Sequence, residues 1–466
     1  MHDRTRARVL VALTVAGIAL TGLVVWITTP PSSSAGPDTQ LDSSGVAALG
    51  PSSGLSPVTP GPTLARSAPT ITATGAGNGA DAATGTAAGS RVGDAPTPGP
   101  TTTFPGRSAA VAAPAQVPNC TPVSLAQRAA RTLIVGIPDV TDPSDPIVKT
   151  VLDIGVGGIF LNPGNVVSES QLMRLVRGIR AQAGRPIVIT VDEEPGRVSS
   201  LGDILGPSPS ARRMANEGPA SDVRTYAHEV ALELARLGID LNLAPVADLT
   251  DGPYDEIIGD RSFSADAAIA SEYALAFAEG MADAGIRSAV KHFPGQGRAT
   301  EDIHFEAAAP ITTPLDTLRL TDVRPFRDLV RAGVPVVMMN HIRYTALDRN
   351  LPASLSPKAY SLLRDLGFQG VAITDSLGMG AVNLTWGFFD SAPMAVAAGA
   401  DGLLATDGFF AEEMRDGLVD AVAKGRLTEA RLSEAAARMV ALGGGNPRTV
   451  ACVDVTLPHI APTPLP

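Results

Sequence analysis

Between residues 132 and 405 the sequence alternates short apolar runs with longer amphipathic segments, and this alternation constrains the fold more than any other feature. Short apolar runs bounded by glycine or proline are typical of buried strands, and the longer segments have helical apolar spacing. Eight strand–helix units predict an α/β fold, a (β/α)8 TIM barrel with two further helices after its last strand. The strand candidates are Thr132–Pro138, Gly157–Asn162, Pro186–Asp192, Ile239–Ala247, Ser288–Phe293, Val334–His341, Gly370–Asp375 and Asp401–Ala405.

Two helix candidates show the amphipathic spacing clearly. They are Asp222–Leu237 and Ala265–Ala284, and in the second we expect Ile269, Phe277 and Met281 to lie on the buried stripe. Several helices are followed by glycine, which is typical of a helix C-terminus. A doubly wound open sheet is the alternative fold. No G-x-G-x-x-G motif follows the first strand, which counts against a dinucleotide-binding version.

The N-terminus has the composition of an export segment. Arg4, Arg6 and Arg8 precede a nearly continuous apolar run from Val9 to Ile27. This pattern fits a spanning helix or a signal peptide, and its basic flank favours an N-terminus on the cytoplasmic side. We therefore expect residues 1–30 to be a signal anchor or a cleaved signal peptide. The remaining chain would then be extracytoplasmic, membrane-anchored if the segment is kept and secreted if it is cut.

Residues 31–118 differ in composition from the rest of the chain. They are rich in proline, glycine, alanine, serine and threonine, and they show no apolar period. Such a stretch cannot bury enough apolar surface to fold, so we predict a disordered linker. The barrel domain is predicted to span residues 119–466. The formal net charge of −11 argues against a nucleic-acid partner, because phosphate binding needs a basic surface.

Polar side chains concentrate where the predicted strands end, which is where barrel enzymes carry their chemistry. Asp192, Lys291 and His292 close strands, Asp375 ends the seventh strand, and a loop carries the pair Asp302 and His304. A carboxylate facing an anomeric carbon, together with a separate proton donor, is the equipment for cleaving a glycosidic bond. Other polar residues at strand ends are Glu193, Glu194, Asp248, Asn340 and His341.

Each candidate also has a purely structural interpretation. Asp375 is suited to be a nucleophile, but it could instead cap the following turn. Asp302 beside His304 could orient an acid/base imidazole, or the two could form a solvated loop pair. Lys291 could donate to sugar hydroxyls, and a salt bridge to Asp192 or Asp375 would offset the free-energy cost of burying its ammonium group.

Two stretches carry a family resemblance. Lys291–Gly297, followed by Asp302 and His304, is similar to the pattern K-H-F-P-G-x-G and D-x-H, and Asp192–Val198 is similar to D-x-E-G-G-R-V. Over about residues 121–443 the chain resembles glycoside hydrolase family 3, in its single-domain β-N-acetylhexosaminidase type. It departs from the family pattern at four positions, which are Pro195, Gln296, Arg298 and Ile303.

The resemblance implies roles for these residues. Asp375 would be the nucleophile of a retaining reaction, and His304, oriented by Asp302, would be the acid/base on a mobile loop. The residues implied to hold the sugar hydroxyls are Asp192, Arg261, Lys291 and His292.

The implied function is a retaining β-N-acetylglucosaminidase. Its substrates would be peptidoglycan-derived fragments ending in β-linked N-acetylglucosamine, with no cofactor or metal, and a monomer is expected. The alternatives are a catalytically silent wall-binding barrel, or a phosphorylase or β-glucosidase of the same family. A metal-dependent hydrolase using His292, His304 and His341 is a further alternative, which the lack of an H-x-H pair at a strand end disfavours.

The two cysteines, Cys120 and Cys452, flank the predicted barrel. The ends of such a barrel come close at its N-terminal face, and a disulfide is favoured outside the cytoplasm. We therefore predict one disulfide that closes the domain, with two free buried thiols as the alternative.

Overall fold

The computed structural model describes residues 118–462, in which eight parallel strands form one sheet curled into a barrel. All eight predicted strands are present, each shorter than its apolar run or equal to it within a residue. They are Leu133–Gly136 (β1), Gly158–Leu161 (β2), Val188–Val191 (β3), Leu241–Asn242 (β4), Arg287–Phe293 (β5), Val336–Met339 (β6), Val371–Thr374 (β7) and Leu403–Ala405 (β8).

The sheet closes on itself in sequence order. Strand β1 pairs with both β2 and β8, and a parallel bridge between Ile373 and Gly402 joins β7 to the start of β8. The doubly wound alternative is therefore wrong, because that fold leaves two open edges. Strand β4 is much shorter than predicted, since Pro245 has no N–H to donate within the expected run, and pairing resumes only at a bridge between Val246 and Lys291.

Helices surround the strands in the described part of the chain. They are Leu125–Arg131 (α1), Pro146–Ile154 (α2), Glu169–Ala183 (α3), Gly202–Leu205 (α4), Ala211–Glu217 (α5), Ala220–Leu237 (α6), Ala267–Asp283 (α7), Leu315–Leu320 (α8), Arg324–Ala332 (α9), Pro357–Asp365 (α10), Gly380–Ala398 (α11), Ala411–Ala423 (α12), Glu429–Leu442 (α13) and Arg448–Ala451 (α14). Helix α11 is interrupted by a non-helical residue at Gly387.

The predicted helix ends agree with the structure, and one predicted buried face does not. Gly238 and Gly333 end α6 and α9 in the left-handed conformation that glycine adopts without strain. In α7 the expected burial of Ile269 is wrong, because its side chain is exposed while Ala270 and Ala274 are buried. The reason is that α7 contacts both α6 and α9, so its buried face is set by two neighbours rather than one.

The strands bury side chains on both faces, and this two-residue alternation positions the polar residues above them. One core cluster fills the barrel interior and includes Ile134, Val371 and Ile373, while Ala372 belongs to the outer cluster between strands and helices. By the same alternation, the residue two beyond Ile373 points into the barrel mouth, and that residue is Asp375. Met439 and Leu442 of α13 belong to the interior cluster and close the opposite end.

The predicted disulfide is confirmed, since Cys120 and Cys452 are bonded with their Cα atoms 5.6 Å apart. The predicted export segment at residues 1–30, and the linker up to residue 117, lie outside the described residues. Among the helices that are described, none combines the length and the apolar character that crossing a membrane requires.

Candidate active site

A cavity of about 260 Å³ opens at the carboxyl ends of the barrel strands. The alternation along each strand explains which side chains reach it: Lys291 lies two residues beyond interior Ala289, and Asp192 lies four beyond interior Val188. The predicted site residues that line this cavity are Asp192, Arg261, Lys291, His292, His304 and Asp375.

A buried ion cluster forms one wall of the cavity. Lys291 is 1 % exposed, and its ammonium group binds Asp192 and lies 2.5 Å from Glu194. Arg261, at the end of the 3₁₀ turn Gly259–Arg261, donates two hydrogen bonds of 2.7 and 2.8 Å to the Glu194 carboxylate. The expected salt bridge from Lys291 therefore goes to Asp192 and is shared with Glu194.

The charges in this cluster stabilise one another. Burial alone would raise the pKa of Glu194, but Arg261 and Lys291 outweigh it and hold that pKa well below its usual range. Burial would likewise lower the pKa of Lys291, but Asp192 and Glu194 raise it instead. Glu194 is thus the internal counter-ion, whereas the Asp192 side chain keeps 29 % of its surface exposed towards the cavity. Asp192 therefore presents part of its carboxyl group to the cavity, and burial raises its pKa although Lys291 opposes this.

His292 is fixed by a carboxylate behind it. Its Nδ1 lies 2.6 Å from Oδ2 of buried Asp248, and Asp248 also accepts hydrogen bonds from the backbone N–H groups of His292 and Gln296. A carboxylate partner at Nδ1 holds the ring in one orientation, so the opposite nitrogen is presented to the cavity.

The carboxylate of Asp375 is held by the backbone of the next residue. Within the described residues, the only hydrogen bond to its carboxylate comes from the N–H of Ser376, at 2.8 Å to Oδ1. Burial would raise the pKa of Asp375, but His292 and His341 more than compensate and lower it, so the group is anionic near neutral pH. The second carboxylate oxygen is therefore available to a ligand in the cavity.

His304 reaches the same cavity from the loop that follows β5. Its Nδ1 lies 2.6 Å from Oδ1 of Asp302, and its backbone N–H donates to the same oxygen at 2.9 Å. Partial burial would raise the pKa of Asp302, but these bonds from His304 lower it, so the carboxylate accepts and the imidazole Nδ1 donates. His304 Nε2 is left to exchange a proton with a ligand.

Three of the four departures from the family pattern lie at this loop or at its start. Arg298 makes three hydrogen bonds of 2.9 to 3.0 Å to the carboxylate of Asp322, which is almost fully buried. Ile303 is 1 % exposed and lines the cavity beside His304. Gln296 is also buried in the cavity wall. Buried or hydrogen-bonded residues therefore hold the loop on both sides of residues 299–302, with Gln296 and Arg298 before them and Ile303 after them.

The structure brings six of the seven predicted site residues to one cavity, and the seventh, Asp302, binds His304 behind it. Glu194 and Asp248 lie at strand ends, but their sequence pattern alone predicts no role for either of them. Their partners Arg261 and His292 are 67 and 44 residues away, so only the fold could show the pairing. His341 does not reach the cavity, since its ring nitrogens bind Ser354 and the carbonyl of Ser376. Residues 118–462 contain no cluster of His, Cys, Asp or Glu arranged as a metal site.

Comparisons with known proteins identify the family of the chain. The model of the glycosyl hydrolase family 3 N-terminal domain matches residues 125–442. The chain is 34 % identical over 346 residues to the beta-hexosaminidase LpqI of Mycobacterium tuberculosis, covering 72 % of this chain and 86 % of that protein.

Solved structures give the same result. A family 3 glycosyl hydrolase from Mycobacterium smegmatis is 38 % identical with a TM-score of 0.64, covering 69 % of this chain and 97 % of that one. A β-N-acetylglucosaminidase of the family from Paenibacillus is 32 % identical with a TM-score of 0.65, covering 72 % of this chain and 65 % of that one. The chain therefore belongs to glycosyl hydrolase family 3, as its motifs predicted.

Proposed function

We propose that the protein is a retaining β-N-acetylglucosaminidase that removes terminal β-linked N-acetylglucosamine from peptidoglycan-derived fragments. The observation that carries the proposal is the meeting of Asp375 and His304 in one cavity whose wall is the ion cluster around Lys291. A retaining glycosidase needs a nucleophile, a proton donor and a set of hydroxyl-binding groups, and Asp375, His304 and the ion cluster would supply them.

In the first chemical step, Asp375 would attack the anomeric carbon of the bound sugar. The bond to the leaving oxygen breaks as a proton passes from His304 Nε2 to that oxygen, and a covalent glycosyl ester forms on Asp375. Asp302 would stabilise the imidazolium before transfer, because it is an ionised carboxylate at Nδ1. Asp192, Arg261, Lys291 and His292 would bind the sugar hydroxyls and hold the ring over Asp375.

In the second step, His304 would act as the base. The neutral imidazole takes a proton from water, the water oxygen attacks the anomeric carbon, and the ester to Asp375 breaks with overall retention. An imidazole serves both steps without placing a second negative charge beside the departing or arriving oxygen.

The choice of sugar is supported by the relatives. The Mycobacterium tuberculosis protein is named a beta-hexosaminidase and the Paenibacillus structure a β-N-acetylglucosaminidase. The proposal of peptidoglycan as the source of the substrate comes from the N-terminal segment. Its basic residues and apolar run would export the barrel to the cell wall, either anchored or secreted. We propose this location as part of the function, with the linker as a tether and a monomer as the working unit.

The experiment compares hydrolysis of 4-nitrophenyl β-glycosides of N-acetylglucosamine and glucose with release of N-acetylglucosamine from a muropeptide, at several phosphate concentrations. We expect turnover of the N-acetylglucosaminide and the muropeptide, slow or no turnover of the glucoside, and free N-acetylglucosamine as product. No turnover by the folded wild type would favour the silent wall-binding barrel. A sugar phosphate as the product would identify a phosphorylase instead.

A further inference from the structure

The loop that carries His304 is hydrogen-bonded to the helix that follows the Asp375 strand. The N–H of Gly380 donates to the carbonyl of His304 at 2.8 Å, and the N–H of Ala381 donates to the carbonyl of Ile303 at 3.2 Å. Gly380 is the first residue of α11, and only four residues separate it from Asp375. The two groups proposed to act on one bond are therefore joined by a short, continuous set of contacts.

These bonds satisfy groups that a helix cannot satisfy by itself. The first N–H groups of a helix have no partner within it, and they are usually bonded by the side chain of the preceding residue. Here the preceding residue is Met379, whose side chain makes no such bond. The carbonyls of Ile303 and His304 accept these bonds instead. The start of the helix supplies the donors and the loop supplies the acceptors.

The contact depends on the absence of a side chain at position 380. A Cβ placed on Gly380 would lie 2.1 Å from the carbonyl oxygen and 2.3 Å from the carbonyl carbon of Phe305. Both atoms are backbone, so no rotamer change relieves the overlap, and either the loop or the helix start must move. Ile303, buried beside this contact, gives the loop its apolar anchor.

We propose that Gly380 is a positioning residue for acid/base catalysis, because its bare backbone allows the His304 loop to rest on the start of α11. This inference rests on the proposed function, since it assigns His304 the proton transfer. Gly380 itself touches neither substrate nor the reacting atoms. Its effect is to fix the height of the imidazole above Asp375.

The test is how the Gly380→Ala variant depends on the leaving group. A misplaced proton donor slows cleavage of a poor leaving group, such as the sugar of a disaccharide, by about 10- to 100-fold in kcat/KM. A 2,4-dinitrophenyl leaving group departs without a proton, so formation of the glycosyl ester from it should slow by less than about threefold. We therefore expect kcat/KM for the disaccharide, divided by kcat/KM for the 2,4-dinitrophenyl substrate, to fall at least about threefold.

Gly417→Ala is the matched control. A Cβ on Gly417 of α12 would also lie 2.1 Å from a backbone carbonyl oxygen, that of Phe389, but it is not part of the cavity lining. This variant should lose stability while keeping the wild-type ratio between the two substrates. Ile303→Ala is a second test variant, changed in the loop rather than the helix. It should shift the ratio in the same direction as Gly380→Ala, and it decides the matter if Gly380→Ala does not fold.

The outcomes separate this inference from the proposed function. Suppose that the wild type is active, and that Gly380→Ala, or Ile303→Ala in its place, lowers kcat/KM equally for both substrates or for neither. That result would overturn the positioning role alone. A wild type inactive on every N-acetylglucosaminide would overturn the proposed function and this role with it. A ratio change equally large in Gly417→Ala would show a general structural effect, and the inference would again be wrong.

Discussion

Asp375 and Asp401 are buried carboxylates with lowered pKa values that lie at opposite ends of the barrel, and they differ in what surrounds them. Asp375 lies at the carboxyl end of β7, facing the cavity, with one hydrogen bond from Ser376 among the described residues. Asp401 lies before β8 at the opposite end. There Arg364, Arg431 and the N–H of Ala372 donate to it at 2.5 to 3.0 Å. Burial would raise the pKa of Asp401, but the nearby arginines lower it.

The comparison shows that burial and a perturbed pKa do not by themselves mark a reactive group. Both oxygens of Asp401 are occupied by protein donors, so this carboxylate can only hold the strands and helices around it together. Asp375 keeps an oxygen directed at open space, and its charge is stabilised by two histidine rings rather than by direct ion pairs with arginine. Unused hydrogen-bonding capacity beside a cavity is the feature that distinguishes the site from the structural cluster.

The largest expected effect is that of Asp375→Asn. This change keeps the shape and the bond from Ser376 but removes the proposed nucleophile, so kcat should fall by about 10⁴-fold or more. The melting temperature should stay within a few degrees of wild type, since no ion pair is broken. Steady-state kinetics and thermal unfolding measure both quantities. If Asp375→Asn retained a tenth of the activity, Asp375 would belong with Asp401 as a structural residue.

Asp401→Asn should show the opposite behaviour. Removing this charge leaves Arg364, Arg431 and Arg438 around a neutral group, and breaking a buried ion cluster costs about 3–5 kcal/mol. The kcat/KM of the protein that remains folded should stay within about twofold of wild type, because the cavity is remote. Urea unfolding followed by fluorescence gives the stability change. A selective loss of kcat without loss of stability would contradict the division between the two ends.

A smaller effect is expected from Glu193, which lies next to the ion cluster and forms no salt bridge with any described residue. Burial raises the pKa of Glu193 to about 7, although hydrogen bonds from Ser199 and from the N–H of Leu201 oppose this. The native state therefore holds a proton that the unfolded state releases near its ordinary pKa of 4.5. This proton contributes about 3 kcal/mol to the free energy of unfolding. The contribution is fully present below about pH 4.5 and is lost as the pH rises through about 7.

Glu193→Gln should remove this part of the pH dependence. The variant should become more stable relative to wild type at pH 8 than at pH 5, as measured by urea unfolding at the two pH values. Identical slopes for the two proteins would mean that Glu193 is ionised throughout, and that the uncompensated carboxyl lies elsewhere.

Much of the fold could be predicted from the sequence because each strand of a parallel barrel is buried on both faces and therefore appears as a short apolar run. Position along the strand then indicated which residues reach the mouth, which is why Asp192, Lys291 and Asp375 could be named. The role of Glu194 could not be seen, because adjacent carboxylates at a strand end look alike until Arg261 is placed against one of them. Strand β4 was predicted but is shorter than its apolar run, because Pro245 interrupts it. The exposure of Ile269 in α7 could not be predicted, since it depends on the packing of α7 against both α6 and α9.

The contact between the His304 loop and α11 was equally hidden. It is made by backbone atoms, and its only side-chain signature is a glycine at position 380 among several in the same stretch. The disulfide between Cys120 and Cys452 could be predicted because only one pairing of two cysteines exists and the barrel brings its ends together.

The central claim is that Asp375 and His304 act on the same bond from one cavity, and covalent trapping tests it most directly. The wild type and His304→Ala are incubated with a fluorinated N-acetylglucosaminyl donor that forms the glycosyl ester faster than water cleaves it. Intact mass and peptide mapping then locate the sugar. The account predicts one sugar on Asp375, persisting longer in His304→Ala because the base for the second step is gone. A label on any other residue, or an ester whose lifetime does not depend on His304, would contradict it.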